Sequence, residues 1–276
     1  QSQGASPIKS ISLKTMEQLT FGACVKKGWI SSWQAVTQMP WLFLGVCAVL
    51  ACTSLLAGPH PAAVTPASGV DAMANLGQRL LPLVWTALQL AVGGTLTIKV
   101  HRFVLLGEGV QPLVPLNGKP LGRYALVSLA VVLTMLVFAG LGFVAMRTVR
   151  LGVLIYLPML AIYLFVTMRL ILLYPAIALG SRLVLRAAWK DSRGHVWSMI
   201  AVGFVTYLPV FVLSAIFLFI AGPKMQAAHA TQGAAVIAIM QALLNAIFIV
   251  FAAASLSWLY RRYASELLTH AEDAPQ

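Results

Sequence analysis

An all-α polytopic membrane protein, with six transmembrane helices and two interfacial amphipathic helices, is the fold class this sequence predicts, and three observations carry it. The first is composition: 60% of the residues are hydrophobic and 9% charged, with a mean hydropathy of +0.87, whereas a soluble surface needs roughly a quarter of its residues charged. The second is a series of six apolar runs, each long enough to cross a hydrocarbon core about 30 Å thick. The third is where the charges fall: of 19 Lys and Arg, only Arg169 stands well inside a run. A net charge of +12 would suggest nucleic acid in a soluble protein. Here the basic residues gather at span ends, so no nucleic-acid partner is expected.

The elements follow in order. Residues 1–19 are expected to be a cytoplasmic tail, whose first ten residues lack any apolar period and read as disordered. Over 20–36, Phe21, Val25, Trp29, Trp33 and Val36 recur at helical spacing, while Lys27, Ser31 and Gln34 take the opposite arc. That is the pattern of a surface helix, with Lys26 interrupting its apolar edge. Pro40 closes it, and the first span runs over 41–57. Residues 58–78 are rich in Pro, Ala, Gly, Ser and Thr and read as a loop. The second span, 79–98, ends in a basic margin of Lys99, His101 and Arg102, and the turn Asn117-Gly118 precedes the third, 121–146.

The connection from Arg147 to Leu151 is so short that the third span and the fourth, 152–178, must form an antiparallel hairpin. The fourth exceeds the ~20 residues a crossing requires, so it tilts, or bends at Pro158 or Pro175. Over 181–196, Arg182, Arg186 and Lys190 fall on one side, with Leu183, Val184, Leu185 and Ala188 on the other, which predicts the second surface helix. The fifth span covers 197–221 and the sixth 233–258, followed by the collar Tyr260, Arg261, Arg262 and Tyr263. With the N-terminus inside, fourteen Lys and Arg fall on the cytoplasmic side and four on the other. The positive-inside rule therefore places both termini in the cytoplasm, as an even number of spans requires.

The sequence offers little chemistry. Cys24, Cys47 and Cys52 have no ligand spacing, so neither a disulfide framework nor a metal site is expected. The first apolar run begins only near Trp41, so no cleavable signal peptide is expected. All seven carboxylates lie outside the spans, which leaves ion-coupled transport without an obvious carrier. His60, His101, His195, His229 and His270 lie in loops or at span ends, whereas a membrane haem needs inward histidines at depth. Paired carboxylates, a Ser–His arrangement or a phosphate-binding glycine loop are missing from any usable context, so neither catalysis nor a cofactor is expected.

What remains is binding. Arg169 either snorkels to the headgroups or faces inward, holding an anionic lipid headgroup or a partner's carboxylate. Arg182, Arg186, Lys190 and Arg193, with Trp189 and Trp197 fixing their depth, are expected to contact anionic lipid; the plainer alternative is that they merely orient the chain. In the sixth span, Ala234, Ala238, Ala242 and Ala246 form a small-residue stripe that lets another helix approach, and Gln241 and Asn245 beside it are expected to act as interhelical glue. Trp33 with Trp41, and Trp189 with Trp197, stand eight apart where a basic amphipathic segment meets a span. A duplicated unit and a simple interfacial preference of Trp both account for this.

Arg169, Pro175-Ala176, Ala188-Trp189, Ser192-Arg193-Gly194 and Trp197 together resemble a pattern in uncharacterised bacterial multi-pass inner-membrane proteins. These are similar to the membrane domain attached to some glycerophosphodiester phosphodiesterases. The resemblance covers mainly residues 165–205. It implies a six-span helical domain in a bacterial inner membrane with no catalytic residues of its own, since in those enzymes the hydrolase is a separate soluble domain. The expected function is that of a non-catalytic accessory, scaffold or assembly subunit, or a lipid-organising protein. Its expected partners are anionic lipids, another membrane protein or a second copy of itself. The alternative is a carrier or flippase for an anionic amphiphile, which would need a hydrated or lipid-filled cavity beside Arg169.

Overall fold

Pro40 sets the first corner. A proline disfavours helical geometry in the residue before it, and Met39 indeed sits at φ −122°, ψ 50°. The helices on either side, α1 (Phe21–Gln38) and α2 (Pro40–Leu56), are thereby bent 88° apart. The computed structural model describes residues 20–56, 69–107, 118–148, 152–181, 184–227 and 232–267, and every element among them is an α-helix. The expected tail over 1–19 lies outside the described residues. After α2 come α3 (Gly69–Leu106), α4 (Gly118–Thr148), α5 (Gly152–Leu170), α6 (Leu173–Ala178), α7 (Leu185–Asp191), α8 (Val196–Ala227) and α9 (Gln232–Tyr263).

Four stretches are long and apolar enough to cross a membrane: Pro120–Arg147, Gly152–Ala178, Val196–Phe217 and Ala235–Tyr263. The bent pair α1–α2 makes a fifth if it is one broken span. The expected second span, 79–98, lies inside α3, whose side chains are described only in part. α3 already begins at Gly69, within the stretch expected to be a loop.

The helix at the centre is α9, which packs against α1, α2, α3 and α8. Its buried stripe runs Ala238, Ala242, Ala246, Val250 and Ala253–Ala254, so the alanine stripe faces protein, and α9 meets Phe43, Val46 and Leu50 of α2 and Leu96 and Val100 of α3 in one core. Ala234 lies where side chains are not described. Gln241 and Asn245 are exposed and join no helices within the described chain. The polar contacts between helices are found elsewhere: Gln89 donates to Thr53 Oγ1 at 2.8 Å, Trp258 to Ser31 Oγ at 3.0 Å, and His101 Nδ1 meets Ser257 Oγ at 2.8 Å. His101 is therefore a fully buried helix residue of the core. Ser257 already gives its proton to the Ala253 carbonyl, so Nδ1 carries the hydrogen in that pair.

Because Ala242 is only 3% exposed, Ala242→Leu should lower stability by about 1–3 kcal/mol through overpacking. The thermal midpoint in detergent measures this, and an unchanged midpoint would mean the stripe has room to spare.

α1 packs through its small residues. Its protein-facing side is Cys24, Gly28, Ser31, Ser32 and Ala35, and an added Cβ at Gly28 would stand 3.1 Å from Ser255 Oγ. Of the arc expected to be apolar, Trp33 is 71% exposed, while Trp29 packs edge-on against Phe251 at 4.7 Å. Small side chains let helix backbones approach, so they take the inside and the large ones are left outside. The hairpin of α4 and α5 forms as expected, with Gly142 under the Tyr156 ring and Phe138 beside Tyr163 at 5.7 Å. Its outer surface exposes Leu129, Leu133, Leu136, Leu154 and Leu157, a face suited to hydrocarbon.

Candidate anion-binding site at the basic end of the bundle

The site begins with a proline that acts at a distance. Within a helix, the ring of Pro175 would strike the carbonyl four residues earlier, that of Ile171. The chain breaks at 171–172, between α5 and α6, and Pro175 takes its place in the first turn of α6. The bend expected at Pro158 or Pro175 is thus the latter's, and Pro158 stays inside an unbroken α5. Gly180, at φ +86°, then closes α6: Gly180 N–H donates to the Ile177 carbonyl at 2.9 Å and Ser181 N–H to that of Ala176 at 3.1 Å. This is the paired C-terminal cap that glycine favours. Arg123 of α4 secures the turn by donating to the carbonyls of Gly180 at 3.1 Å and Ser181 at 2.9 Å.

These breaks reduce the expected surface helix over 181–196 to the seven residues of α7. Gly194, at φ +83°, turns the chain again before α8. The buried side of α7 is Ala187, Ala188 and Asp191, and Leu185 is exposed.

Arg169 joins α5 to α7. Its NH1 donates to the Trp189 carbonyl at 3.0 Å, and its guanidinium lies 4.7 Å from the centroid of the Trp189 ring and 5.0 Å from that of Phe165. Both rings offer the face that attracts a cation. The side chain is half-buried and held to α7.

Arg169, Arg186, Trp189, Lys190 and Arg193 line one cleft of ≈ 240 Å³. Five of the seven residues expected to contact anionic lipid thus come together. Arg182 lies outside the described residues, and Trp197, 83% exposed at the start of α8, does not line the cleft. Lys190 is paired with Glu266. Among the described residues neither the Arg186 nor the Arg193 side chain has an ion pair or hydrogen bond. Among the described residues no carboxylate lines this cleft beside the three arginines, and an anion there would relieve the repulsion between like charges.

A second cleft of ≈ 370 Å³ adjoins the first and shares Lys190 and Arg193 with it. It adds Arg262, His195 and Tyr263. The His195 and Tyr263 rings stack at 4.5 Å, and Tyr263 Oη shares a hydrogen bond of 2.7 Å with Ser198 Oγ. Its floor is the buried Asp191, whose carboxylate accepts from Ser265 Oγ at 2.9 Å and from the amides of Glu266 and Leu267, each at 3.0 Å. The basic collar of α9 was visible in the sequence, but its convergence on α7 was not. Arg261 has a structural task, donating to the last carbonyls of α3 at Val104 (3.0 Å) and Leu105 (2.9 Å). No family model, curated protein or solved structure matches the chain, so nothing beyond its own residues bears on the resemblance over 165–205.

Proposed function

We propose that the protein binds an anionic lipid headgroup in the cleft between α5 and α7 and works by that binding, as an accessory or lipid-organising membrane protein without chemistry of its own. The observation that carries this reading is the convergence of Arg169, Arg186 and Arg193 on one cleft, where among the described residues Lys190 alone of the cations is paired with a carboxylate. In this proposal six spans cross a bacterial inner membrane, with both termini and the basic cleft on the cytoplasmic face. The charge asymmetry of the sequence supports that orientation. Each basic residue close to an anionic surface is worth roughly 1 kcal/mol, so three or four of them hold a headgroup firmly. A carrier that moves an amphiphile past Arg169 is the weaker reading, because that guanidinium is bonded to the backbone of α7 and stacked on two rings.

Substituting glutamine for Arg182, Arg186, Lys190 and Arg193 together should remove most of the cardiolipin and phosphatidylglycerol that native mass spectrometry finds on the parent. Topology is checked in the same sample by labelling a cysteine at position 119 with a membrane-impermeant reagent, since loss of these charges can also invert a span. A correctly oriented variant that keeps as much anionic lipid as the parent would sink the proposal.

A further inference from the structure

We infer that the cleft selects a phosphate monoester carried by a lipid over the phosphodiester headgroups of ordinary anionic lipids. The inference rests on the anion-binding reading above and narrows it. The cleft presents the guanidinium of Arg169 from α5, those of Arg186 from α7 and Arg193 from the turn after it, and the ammonium of Lys190. Glu266 faces Lys190 and neutralises it, while Asp191 is turned away onto Ser265, Glu266 and Leu267. Among the described residues the guanidiniums of Arg169, Arg186 and Arg193 have no carboxylate partner. Each is a planar fork suited to a pair of phosphate oxygens. A monoester offers three terminal oxygens and a charge of about −1.5 to −2 at pH 7. A diester offers two such oxygens and a single charge, so it leaves one fork unfilled and more of the positive charge uncompensated.

The anchor on a lipid is argued from what surrounds the cleft. Arg169 sits at the end of α5, where Ile162, Phe165 and Val166 on its own face of the helix are exposed, and Leu185 of α7 is exposed as well. A headgroup among the arginines would leave its acyl chain lying along this apolar flank. A free phosphate would gain nothing from it.

The test uses the full chain in detergent, with retention read by native mass spectrometry against phosphatidic acid, phosphatidylglycerol, phosphatidylcholine and inorganic phosphate. At pH 8 phosphatidic acid should be retained about tenfold more tightly than phosphatidylglycerol. That preference should disappear as the pH falls through about 6, where the monoester takes up its second proton. Protonation of His195 in the adjoining cleft, or of Glu266, would add positive charge and strengthen retention of both lipids, so neither can produce the loss. Arg186 and Arg193 are exposed, and their joint replacement by glutamine should bring phosphatidic acid down to the level of phosphatidylglycerol. Lys26→Gln, on the exposed side of α1, should leave the preference intact. Equal retention of the two anionic lipids, both above phosphatidylcholine, would overturn the monoester selectivity and leave the anion-binding reading standing. Retention of neither above phosphatidylcholine would overturn both. Inorganic phosphate competing as well as phosphatidic acid would overturn the lipid anchor.

Discussion

Asp191→Ala should detach residues 265–267 from α7 and lower stability by about 1–3 kcal/mol, because the buried Leu267 amide loses its acceptor and a buried, unsatisfied group costs about that much. The Ser265 hydroxyl and Glu266 amide can turn to water. The carboxylate is buried and takes hydrogen bonds from Ser265 Oγ, Glu266 N–H and Leu267 N–H. It does for the chain after α9 what a capping side chain does for the first amides of a helix, although it comes from α7. Hydrogen exchange at the Glu266 and Leu267 amides measures the local part of the effect and thermal unfolding in detergent the global part. Asp191→Asn keeps one acceptor oxygen and should fall between parent and alanine variant. Protection of both amides unchanged in the alanine variant would show that packing of Leu267, not the carboxylate, holds the segment. Since Glu266 pairs with Lys190, the same substitution should also loosen the neutralisation of Lys190 at the edge of both clefts.

The features legible in the sequence were those that act through local sterics. Pro40 ends α1 because it constrains Met39, and Pro175 breaks the fourth span at the carbonyl its ring would meet. The five cleft residues could be chosen in advance because a lone arginine in an apolar run and a cluster of charges beside tryptophan are conspicuous against so much hydrocarbon.

Facing was the part that could not be read. The apolar arc of Phe21, Val25, Trp29, Trp33 and Val36 marked the segment as a surface helix, which does not say which of its residues pack against protein. In a membrane the lipid is as apolar as the core, so the arc carries no such information and backbone approach decides instead. Gly28, Ser31, Ser32 and Ala35 therefore went inside. The same reasoning explains Gln241 and Asn245, which the alanines of α9 displaced to the exposed side. Gly180 and Gly194 are the two positive-φ residues that shortened the expected surface helix. The second cleft was illegible for a different reason. Asp191 and Leu267 are far apart in the chain, and no local pattern announces that one will bind the amide of the other.

Gly152→Ala should be among the most damaging single methyl groups that can be added to this protein, with an expected loss of about 3 kcal/mol or more. A Cβ there would meet the backbone of α4, the carbonyl of Ala145 and, at 2.6 Å, Cα of Met146. Backbone atoms at the root of a tight hairpin cannot rotate out of the way as a side chain can, so the two helices would have to part. Gly142 meets the ring of Tyr156, which can turn, and Gly142→Ala should cost less. Gly140 has open space around its Cβ position, and alanine there should be neutral or gain up to about 1 kcal/mol from helix propensity. Thermal midpoints in one detergent rank the three variants. A Gly152→Ala variant as stable as Gly140→Ala would mean that α4 and α5 do not approach as closely as this structure places them. Because Arg169 lies at the far end of α5 from Gly152, parting the hairpin should also shift its contact with Trp189. The Gly152→Ala variant should therefore lose part of its anionic lipid along with its stability, whereas Gly140→Ala keeps both.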